Sequence, residues 1–488
     1  MPPTVSSTFE SERHPVRYVH AVSETGRLLP SASRWNSIAL DFKLTPNSST
    51  VYESIPSQYP KSVDYNLVIT DRKHFHCFII VLVTIIFAIL ASVLLVHFLP
   101  QKHKQEESSI DLKLAINQAL TFYDAQKSGR YPRNSSVKFR GDSGLQDGNS
   151  AKADLTGGFY DSGNNIKFTF TTAYTMTLLS WTVVEYHSKY ADIGELDHVR
   201  DIIRWGSDYL LKVGSTISDN NEANDVSCWQ RPEDMTYERP VSICDGSASD
   251  LAGEIVAALS AASMVFKEDK HYSGRLVHAA ESLYEATINE KSTKQGTYTM
   301  VDACGKQSRM LYNSTSYKDE LAWGATWLFL ATENTDYLKN AIALFSSAKR
   351  DEPSVDNGIV SWNDKLNAVE VNYLLGQNPM KMSYLVGYGD KFPVQVHHRS
   401  ASIPWNNQHL NCEDGKKWLN SKDPNPQVLV GAMVGGPDTN DKFMDQRTNQ
   451  KFTEPNIASN AGLVAALIAL QDPPSNSRDF KNSLWGWT

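Results

Sequence analysis

Carboxyl, imidazole and guanidinium groups are concentrated in three glycine-containing loop segments of this chain. The segments are Gly157-Gly-Phe-Tyr-Asp-Ser-Gly-Asn-Asn-Ile-Lys167, then His397-His-Arg399 after Gly387-Tyr-Gly-Asp, and finally Gly435-Gly-Pro-Asp438 through Asp441 and Asp445-Gln-Arg447 to Glu454-Pro and Asn460-Ala461. Hydrolysis of a glycosidic bond needs two carboxyl groups across a cleft, and the inverting variety leaves room for water between them. These segments supply candidate groups for that chemistry.

Three further motifs complete a recognisable set. They are Cys228-Trp-Gln-Arg-Pro-Glu-Asp-Met235, Ser249-Asp-Leu-Ala252 and Leu375-Gly-Gln-Asn-Pro379. Together with the loop segments they resemble glycoside hydrolase family nine. With its N-terminal part, the chain is similar to the membrane-anchored, Korrigan-type endo-1,4-β-glucanases of plants, over about residues 65–470. The resemblance implies an all-α fold, an (α/α)6 barrel, and inverting hydrolysis of β-1,4-glucan chains in the cell wall or secretory pathway.

The resemblance also implies roles for four residues of the loop segments. Glu454 matches the general acid that protonates the leaving oxygen, although an isolated loop glutamate would more often be a surface residue. Asp445 is expected to orient groups around the site. His397 and Arg399 are expected to hydrogen-bond sugar hydroxyls, with a structural role as the alternative for a histidine. No cofactor and no metal are implied, because the two-carboxyl mechanism needs none.

Three tryptophans near these motifs are candidates to stack on glucose rings. They are Trp229, Trp323 and Trp362. A flat apolar face with a polar rim suits a sugar, but packing in the core is the alternative for each ring.

One position departs from the family pattern in a way that affects the chemistry. The first motif of the family reads Asp-Ala-Gly-Asp, and its second Asp activates water as the general base. Here Asp161 is kept, but the base position is occupied by Asn164. An amide has no basic lone pair usable near neutral pH. Loss of a general base costs roughly 10²–10⁴-fold in rate, so we expect impaired activity unless Asp161 substitutes.

A second departure is a missing stretch. Trp362-Asn-Asp-Lys-Leu-Asn-Ala-Val resembles one family segment and Val371-Asn-Tyr-Leu-Leu-Gly a much later one, with only Glu370 between them. The family has several helices in between, so we expect an incomplete barrel with apolar surface exposed beside the gap. The segment 214–227 is also short, which would remove contacts to distant sugars.

Helical periodicity dominates the part of the chain that must position these groups. Apolar stripes at helical spacing occupy 110–126, 171–190, 248–267, 271–288, 316–333 and 458–470, and Val199, Ile202, Ile203 and Leu210 form another. Thr315 or Ser316 ahead of Asp319 and Glu320 predicts the start of one helix. Long loops at 141–170, 214–247 and 387–457 predict a helical scaffold with a loop-built functional face.

An apolar run near the N-terminus predicts one transmembrane helix. From Cys77 to Phe98 the chain carries no charge, and at 1.5 Å per residue it spans a hydrocarbon core. We therefore expect a disordered tail at 1–74, a membrane helix at 75–99, a linker at 100–109, the hydrolase domain at 110–472 and a tail at 473–488. Flanking charges do not decide the orientation. The resemblance implies a cytosolic N-terminus and a lumenal or extracellular domain on plasma, Golgi or endosomal membranes.

Composition excludes some partners and leaves others open. The formal net charge of −8 with no long basic run argues against nucleic acid. Four cysteines lie after the apolar run, at 228, 244, 304 and 412, and they allow three pairings that the sequence does not distinguish. Asn134 and Asn313 stand in glycosylation sequons. A partnership with the machinery of cell-wall synthesis stays open.

Three hypotheses follow for the function. The first is a membrane-anchored endoglucanase with impaired activity, and the second is a glycan-binding or interaction protein without turnover. The third is a poorly folding product of aberrant splicing or of an incorrect gene model, with the junction at Val369–Val371 as its origin.

Overall fold

The chain divides into two compact units, 1–102 and 103–488, in a computed structural model. The structure describes residues 76–87 except 78 and 86 in the first unit. In the second unit it describes 111–213, 225, 227–288, 294–305, 308–351, 374–376, 378–406, 408–438 and 440–472. The predicted tails, the linker, Trp362 and the junction at Glu370 lie outside the described residues, as does most of the predicted span 75–99.

The described part of the first unit is helical. Its residues between 76 and 87 all have helical backbone, and apolar side chains such as Ile80 and Phe87 are exposed. Among the residues that the structure describes, no helix is both long enough and apolar enough to cross a membrane.

The described residues of the second unit form twelve α-helices joined by long loops. The helices are α1 Leu112–Gln126, α2 Thr169–Ile193, α3 Leu196–Val213, α4 Ser249–Val265, α5 Lys270–Ile288, α6 Asp302–Gly305, α7 Lys318–Thr332, α8 Thr335–Asp351, α9 Arg399–Ser402, α10 Cys412–Asn420, α11 Gln450–Thr453 and α12 Ile457–Leu470. Only isolated β-bridges occur among these residues, so the all-α expectation is confirmed.

Several of the described helices begin where a short polar side chain bonds one of the first free N–H groups. Asp111 accepts from the N–H of Leu114 at the start of α1, and Asn456 accepts from Ser459 at the start of α12. Helix α7 begins at Lys318, whose N–H donates to the predicted Ser316 hydroxyl at 3.3 Å, while Tyr317 between them makes no side-chain cap bond.

Two rows of helices build the core. In the inner row α12 packs against α2, α2 against α4, and α4 against α7. In the outer row α1 backs α12, α3 backs α2, α5 backs α4 and α8 backs α7. Helix α4 is buried on every face from Ser249 to Ser263, as expected for a helix enclosed on all sides. The described residues thus supply four helix pairs of an (α/α)6 barrel.

The last pair before the predicted gap carries exposed apolar side chains. On α8, Ile342 is 59% exposed and Phe345 is 63% exposed. They lie three positions apart and therefore share one face of the helix. Exposed apolar surface at this pair agrees with the expectation for a ring that lacks its next helices.

Two disulfides join the loops of the second unit. Cys228 bonds to Cys412 with their Cα atoms 4.7 Å apart, and Cys244 bonds to Cys304 with a Cα separation of 4.5 Å. The pairing that the sequence left open is thus a long-range one, and the short loop between Cys228 and Cys244 is not closed directly. Cys77 in the first unit is free and exposed.

Candidate active site

The first loop segment is held against the barrel by a buried glutamine. Gln126, the last residue of α1, donates through Nε2 to the carbonyl oxygens of Tyr160 at 3.1 Å and Ser162 at 2.7 Å. Its Oε1 lies 2.8 Å from Nε2 of His398. Because the other ring nitrogen of His398 accepts from the Ala401 N–H, Nε2 is the donor to Gln126. The first and second loop segments therefore meet around one side chain.

Arg399 is buried and bonds to the backbone of the same loop. It is 3% exposed, and it donates to the carbonyl oxygens of Cys228 at 3.1 Å and Gly163 at 3.3 Å. It also pairs with the buried carboxylate of Asp225 at 3.1 Å. These are the present contacts of Arg399, and the expectation that it hydrogen-bonds sugar hydroxyls stays a prediction.

Gly163 lets the two loop segments touch. A Cβ atom at this position would lie 1.8 Å from the carbonyl oxygen of His397, which no side chain can tolerate. The backbone N–H of Arg399 donates to the Gly163 carbonyl at 3.1 Å across the same contact. The loop containing position 164 and the loop containing His397 are therefore locked to each other by backbone.

Glu454 follows α11 and reaches across to the first loop segment. Its Oε1 accepts from the Ser162 hydroxyl at 2.7 Å and from the Gly163 N–H at 3.2 Å. Burial raises the pKa of Glu454 to about 7, and the nearby Asp161 adds to the rise, whereas the Ser162 hydroxyl and Arg399 oppose it. A carboxyl with a pKa near 7 is protonated often enough at neutral pH to serve as a general acid. The geometry thus fits the role expected for Glu454.

Asp161 is buried beneath the loop surface and both its oxygens are occupied. Oδ1 accepts from the Thr171 hydroxyl at 2.5 Å, and Oδ2 accepts from the Tyr312 hydroxyl at 2.5 Å. Burial raises the pKa of Asp161 to about 6 although both hydroxyls lower it. With 1% of its surface exposed, this carboxyl is poorly placed to take a proton from a water in the cleft.

Asn164, at the position of the general base, is half-buried, and its side chain is hydrogen-bonded to other residues of its own loop. Its Oδ1 accepts from the Ile166 N–H at 2.9 Å, and its Nδ2 donates to the Ser162 hydroxyl oxygen at 2.6 Å. The side chain is folded back onto the loop by these two bonds. It supplies no base, because neither an amide oxygen nor an amide nitrogen accepts a proton near neutral pH.

His397 is a neutral, buried imidazole. Burial lowers the pKa of His397 to about 4. Its Nδ1 lies 2.6 Å from the carbonyl oxygen of Arg447, which can only accept, so Nδ1 carries the proton. Its Nε2 then accepts from the Gln450 amide at 3.1 Å. All the contacts of His397 named here are with other protein groups, as in the structural role given as its alternative. Its role in binding a sugar stays a prediction.

Asp445 positions the chain that leads to His397. Its two carboxylate oxygens accept from the backbone N–H groups of Val394 at 2.8 Å and Gln395 at 2.9 Å. It thus fixes the backbone two residues before His397, which agrees with an orienting role rather than contact with the scissile bond.

The tryptophans are enclosed to different degrees. Trp229 is 4% exposed, donates to the Ser402 hydroxyl at 3.0 Å and has its ring centroid 4.7 Å from that of His397. Trp229 is thus packed against protein in this structure, and its stacking on a sugar stays a prediction. Trp323 on α7 is half-buried against Trp181 and Trp327, so its stacking role stays a prediction.

Several residues around the carboxyl groups were not anticipated from the sequence. They are Ser162, Thr171, Asp225 and Tyr312. Ser162 could have been found, because it lies between Asp161 and Asn164 in the motif itself. Thr171, Asp225 and Tyr312 come from distant or unremarkable positions, so only the folded chain reveals them.

Both predicted glycosylation sites lie on the surface. Asn134 and Asn313 are exposed, as an attached glycan requires. Asn313 directly follows Tyr312, whose hydroxyl reaches Asp161. Modification of either asparagine stays a prediction.

Comparisons with known proteins place this geometry among glycoside hydrolases. The family model "Glycosyl hydrolase family 9" matches residues 113–372 and, separately, 368–467. The two matches meet at the junction where the sequence predicts a missing stretch. Endoglucanase 25 of Arabidopsis thaliana is 36% identical over 555 aligned positions, covering 87% of this chain and 88% of the relative. Because the alignment is longer than the 488 residues of the chain, the relative contains residues without a counterpart here.

Solved structures of an endoglucanase and a cellulase also align with this chain. An endoglucanase from the termite Nasutitermes takasagoensis aligns with a TM-score of 0.67 at 30% identity, covering 74% of this chain and 99% of that one. A cellulase of C. cellulolyticum in complex with cellobiose aligns with a TM-score of 0.63 at 26% identity, covering 73% of this chain and 97% of that one.

Proposed function

The chain belongs to glycosyl hydrolase family 9, and we propose that its helical domain binds β-1,4-glucan and cleaves it slowly, with its acid retained and its base lost. One observation carries this proposal. Glu454 has the contacts and the pKa of about 7 that a general acid needs, while position 164 offers an amide.

The acid half of the reaction follows from the contacts of Glu454. The carboxyl gives its proton to the glycosidic oxygen as the bond between that oxygen and the anomeric carbon breaks. The resulting carboxylate is stabilised by donors already in place, the Ser162 hydroxyl and the Gly163 N–H. These donors need no rearrangement during the reaction, which is the condition for effective electrostatic stabilisation.

The base half of the reaction lacks an unengaged proton acceptor at positions 161 and 164, the two described positions of the motif that could supply one. A water that attacks the anomeric carbon must lose a proton, but Asn164 cannot take it. Asp161 is a carboxyl with a pKa of about 6, yet the hydroxyls of Thr171 and Tyr312 occupy its oxygens. The rate should therefore lie roughly 10²–10⁴-fold below that of an enzyme with both groups.

The substrate class rests on the relatives. The relative from Arabidopsis thaliana is named an endoglucanase, and the C. cellulolyticum cellulase holds cellobiose. The loop-built face above α2, α4 and α12 is where this chain would bind the corresponding glucan. The short segment at 214–227 would leave fewer contacts to distant sugars than in relatives.

The location that we propose is the lumenal or outer side of a membrane, with the apolar run 77–98 as the anchor. The two disulfides support this assignment, because disulfides persist in oxidising compartments. The exposed sequons at Asn134 and Asn313 are consistent with it. The absence of charge from the apolar run supports the anchor.

A second candidate function is glycan binding without turnover. It is favoured by the contacts of Asn164, since both ends of its amide are bonded within the loop. A site of this kind would keep affinity for a glucan chain while no group activates water.

An external nucleophile separates the two candidates. The full chain would be assayed on soluble carboxymethylcellulose and on cello-oligosaccharides, with and without azide, an anion that attacks carbon without losing a proton. Azide would bond to the anomeric carbon as the glycosidic bond breaks and Glu454 protonates the leaving oxygen. We expect slow release of reducing ends without azide. With azide we expect chain shortening about tenfold or more faster, measured by chromatography because the product is a glycosyl azide and not a new reducing end, with the gain below the full effect of a base.

Variants of two glutamates complete this test. Glu454→Gln should abolish cleavage with and without azide, whereas Glu413→Gln on the exposed face of α10 should change nothing. Affinity for cellotetraose without any cleavage would favour the binding candidate. A folded chain that neither binds nor cleaves would contradict both.

A further inference from the structure

We propose that Ser162 and Asn164 work as a pair that orients the proton of Glu454, so that a carboxylate restored at position 164 becomes effective only when Ser162 is replaced as well. The proposal rests on Glu454 being the acid of the proposed function. It concerns positioning residues, since neither side chain is required to touch the reacting atoms.

The hydrogen bonds of the pair run in one direction. Asn164 Oδ1 accepts from the Ile166 N–H at 2.9 Å, which turns Nδ2 toward Ser162 Oγ at 2.6 Å. An amide nitrogen can only donate, so Ser162 Oγ is the acceptor of this bond. The single proton of the serine hydroxyl is then left for Glu454 Oε1 at 2.7 Å.

The same contacts decide which oxygen of Glu454 carries the acidic proton. Oε1 accepts from Ser162 and also from the Gly163 N–H at 3.2 Å. An oxygen that accepts two hydrogen bonds is disfavoured as the site of the proton, so the proton resides on Oε2. Within the described part of the chain, Oε2 has no hydrogen-bond partner of its own and can face the glycosidic oxygen.

The family motif Asp-Ala-Gly-Asp corresponds to Asp161-Ser162-Gly163-Asn164 in this chain. The two sequences differ only at positions 162 and 164, which are the two members of the pair. A carboxylate at 164 only accepts, so it would compete with Glu454 for the Ser162 proton. An alanine at 162 has no hydroxyl group, so no such competition arises. Serine at 162 with asparagine at 164, and alanine at 162 with aspartate at 164, are therefore the two combinations in which donors and acceptors match. In the mixed combinations one donor or acceptor of the pair lacks its intended partner.

Other charged or titratable groups around Glu454 stay constant in this comparison. Asp161, Tyr312 and Arg399 interact electrostatically with the Glu454 carboxyl. None of them is replaced in the variants below. A difference between variants in the Glu454 titration therefore reports the contacts of positions 162 and 164.

The direct test is a titration of Glu454 in the full chain labelled with ¹³C at glutamate carboxyl carbons, with Glu454→Gln to assign the signal. The variants are Ser162→Ala, Asn164→Asp and the double variant. Ser180→Ala, which removes a buried hydroxyl without a hydrogen-bond partner in the described residues, is the control. We expect Ser162→Ala to raise the Glu454 pKa in the Asn164 background and to leave it nearly unchanged in the Asn164→Asp background. Equal shifts in both backgrounds, or no shift at all, would overturn the proposal.

Activity provides an independent readout. The double variant should cleave carboxymethylcellulose at least about 100-fold faster than the natural chain, the lower end of what a general base supplies. Asn164→Asp alone should gain less than a tenth of that. If the titration shows the expected coupling but no variant cleaves glucan, the proposed hydrolysis fails while the pairing stands. Full recovery by Asn164→Asp alone would refute the pairing and leave the hydrolysis intact.

Discussion

Burial raises the pKa of both Glu454 and Asp161, but their hydrogen bonds assign them different tasks. Glu454 has one oxygen held by two donors and the other without a partner in the described residues. Asp161 has each oxygen held by a hydroxyl, from Thr171 and from Tyr312. Two nearby carboxyl groups with different surroundings can thus serve different roles. The contacts of Glu454 fit the proposed release of a proton, and those of Asp161 fit a part in holding the loop.

The pKa of Glu454 predicts the pH dependence of cleavage. A general acid works only when protonated, so its active fraction falls about tenfold for each pH unit above the pKa. With a pKa of about 7, kcat/KM should be nearly flat below pH 6 and should fall between pH 7 and 9. A profile measured with azide present would isolate this limb, because azide needs no base. A rate that rises from pH 7 to 9 would contradict the assignment of Glu454.

Single residues were predictable where the motif itself contains the chemistry. Glu454 and Asn164 could be identified from sequence because their chemical groups alone determine what each can do with a proton. Arg399 could not, because a guanidinium serves a sugar or a backbone carbonyl equally well. Its present bonds to Gly163 and Asp225 could be found only from the folded chain.

Apolar residues at helical spacing predicted most of the longer helices. The stripe at Val199, Ile202, Ile203 and Leu210 is buried along α3, as expected. Helix α8, Thr335–Asp351, was not anticipated, although it is among the longer helices described. Its apolar residues Tyr337, Ala341, Phe345 and Ala348 repeat at helical spacing, so the pattern that predicts a helix was present in the sequence.

The close approach of α4 and α7 predicts a specific sensitivity to one methyl group. A Cβ at Gly253 would lie 2.5 Å from the backbone carbonyl carbon of Glu320, so Gly253→Ala must push the two helices apart. We expect a loss of about 1–3 kcal/mol in the free energy of unfolding, as for other overpacked cores. Urea denaturation of the full chain would measure it.

Gly274 on α5 offers the matched control. Nothing lies within 4 Å of a Cβ at this position, so Gly274→Ala adds a methyl group in open space. It should stabilise the protein by about 0.5–1 kcal/mol, because alanine loses less backbone entropy in a helix than glycine. Equal effects of the two substitutions would show that the α4–α7 contact is looser than the structure indicates.

On the scale of the whole molecule, the two separately matched pieces of the family meet at the candidate site. Residues 113–372 supply the loop with Ser162 and Asn164, and residues 368–467 supply His397 and Glu454. The hydrogen bonds from Ser162 and Gly163 to Glu454 cross between the pieces. The candidate site therefore contains residues from both sides of the predicted gap.

The disulfides allow this assembly to be tested. Cys228–Cys412 joins the two pieces and closes a span of 184 residues, whereas Cys244–Cys304 lies within the first piece and closes 60. Loop entropy alone predicts losses of about 5 and about 4 kcal/mol when the bonds are removed, so the stabilities should be similar. Their effects on the site should differ, because Cys228 lies beside Trp229 and its carbonyl holds Arg399.

Replacing each pair of cysteines by serine should therefore separate stability from binding. Cys228→Ser with Cys412→Ser should lower the urea midpoint and weaken cellotetraose binding about tenfold or more, as when a positioning contact worth about 1.4 kcal/mol is lost. Cys244→Ser with Cys304→Ser should lower the midpoint comparably and keep the affinity. Both would be measured on the full chain without reductant, by denaturation and by calorimetric titration. If removal of the Cys244–Cys304 bond weakens cellotetraose binding as much as removal of the Cys228–Cys412 bond, the effect comes from a general loss of stability. The bond between the two pieces would then have no specific part in holding the site.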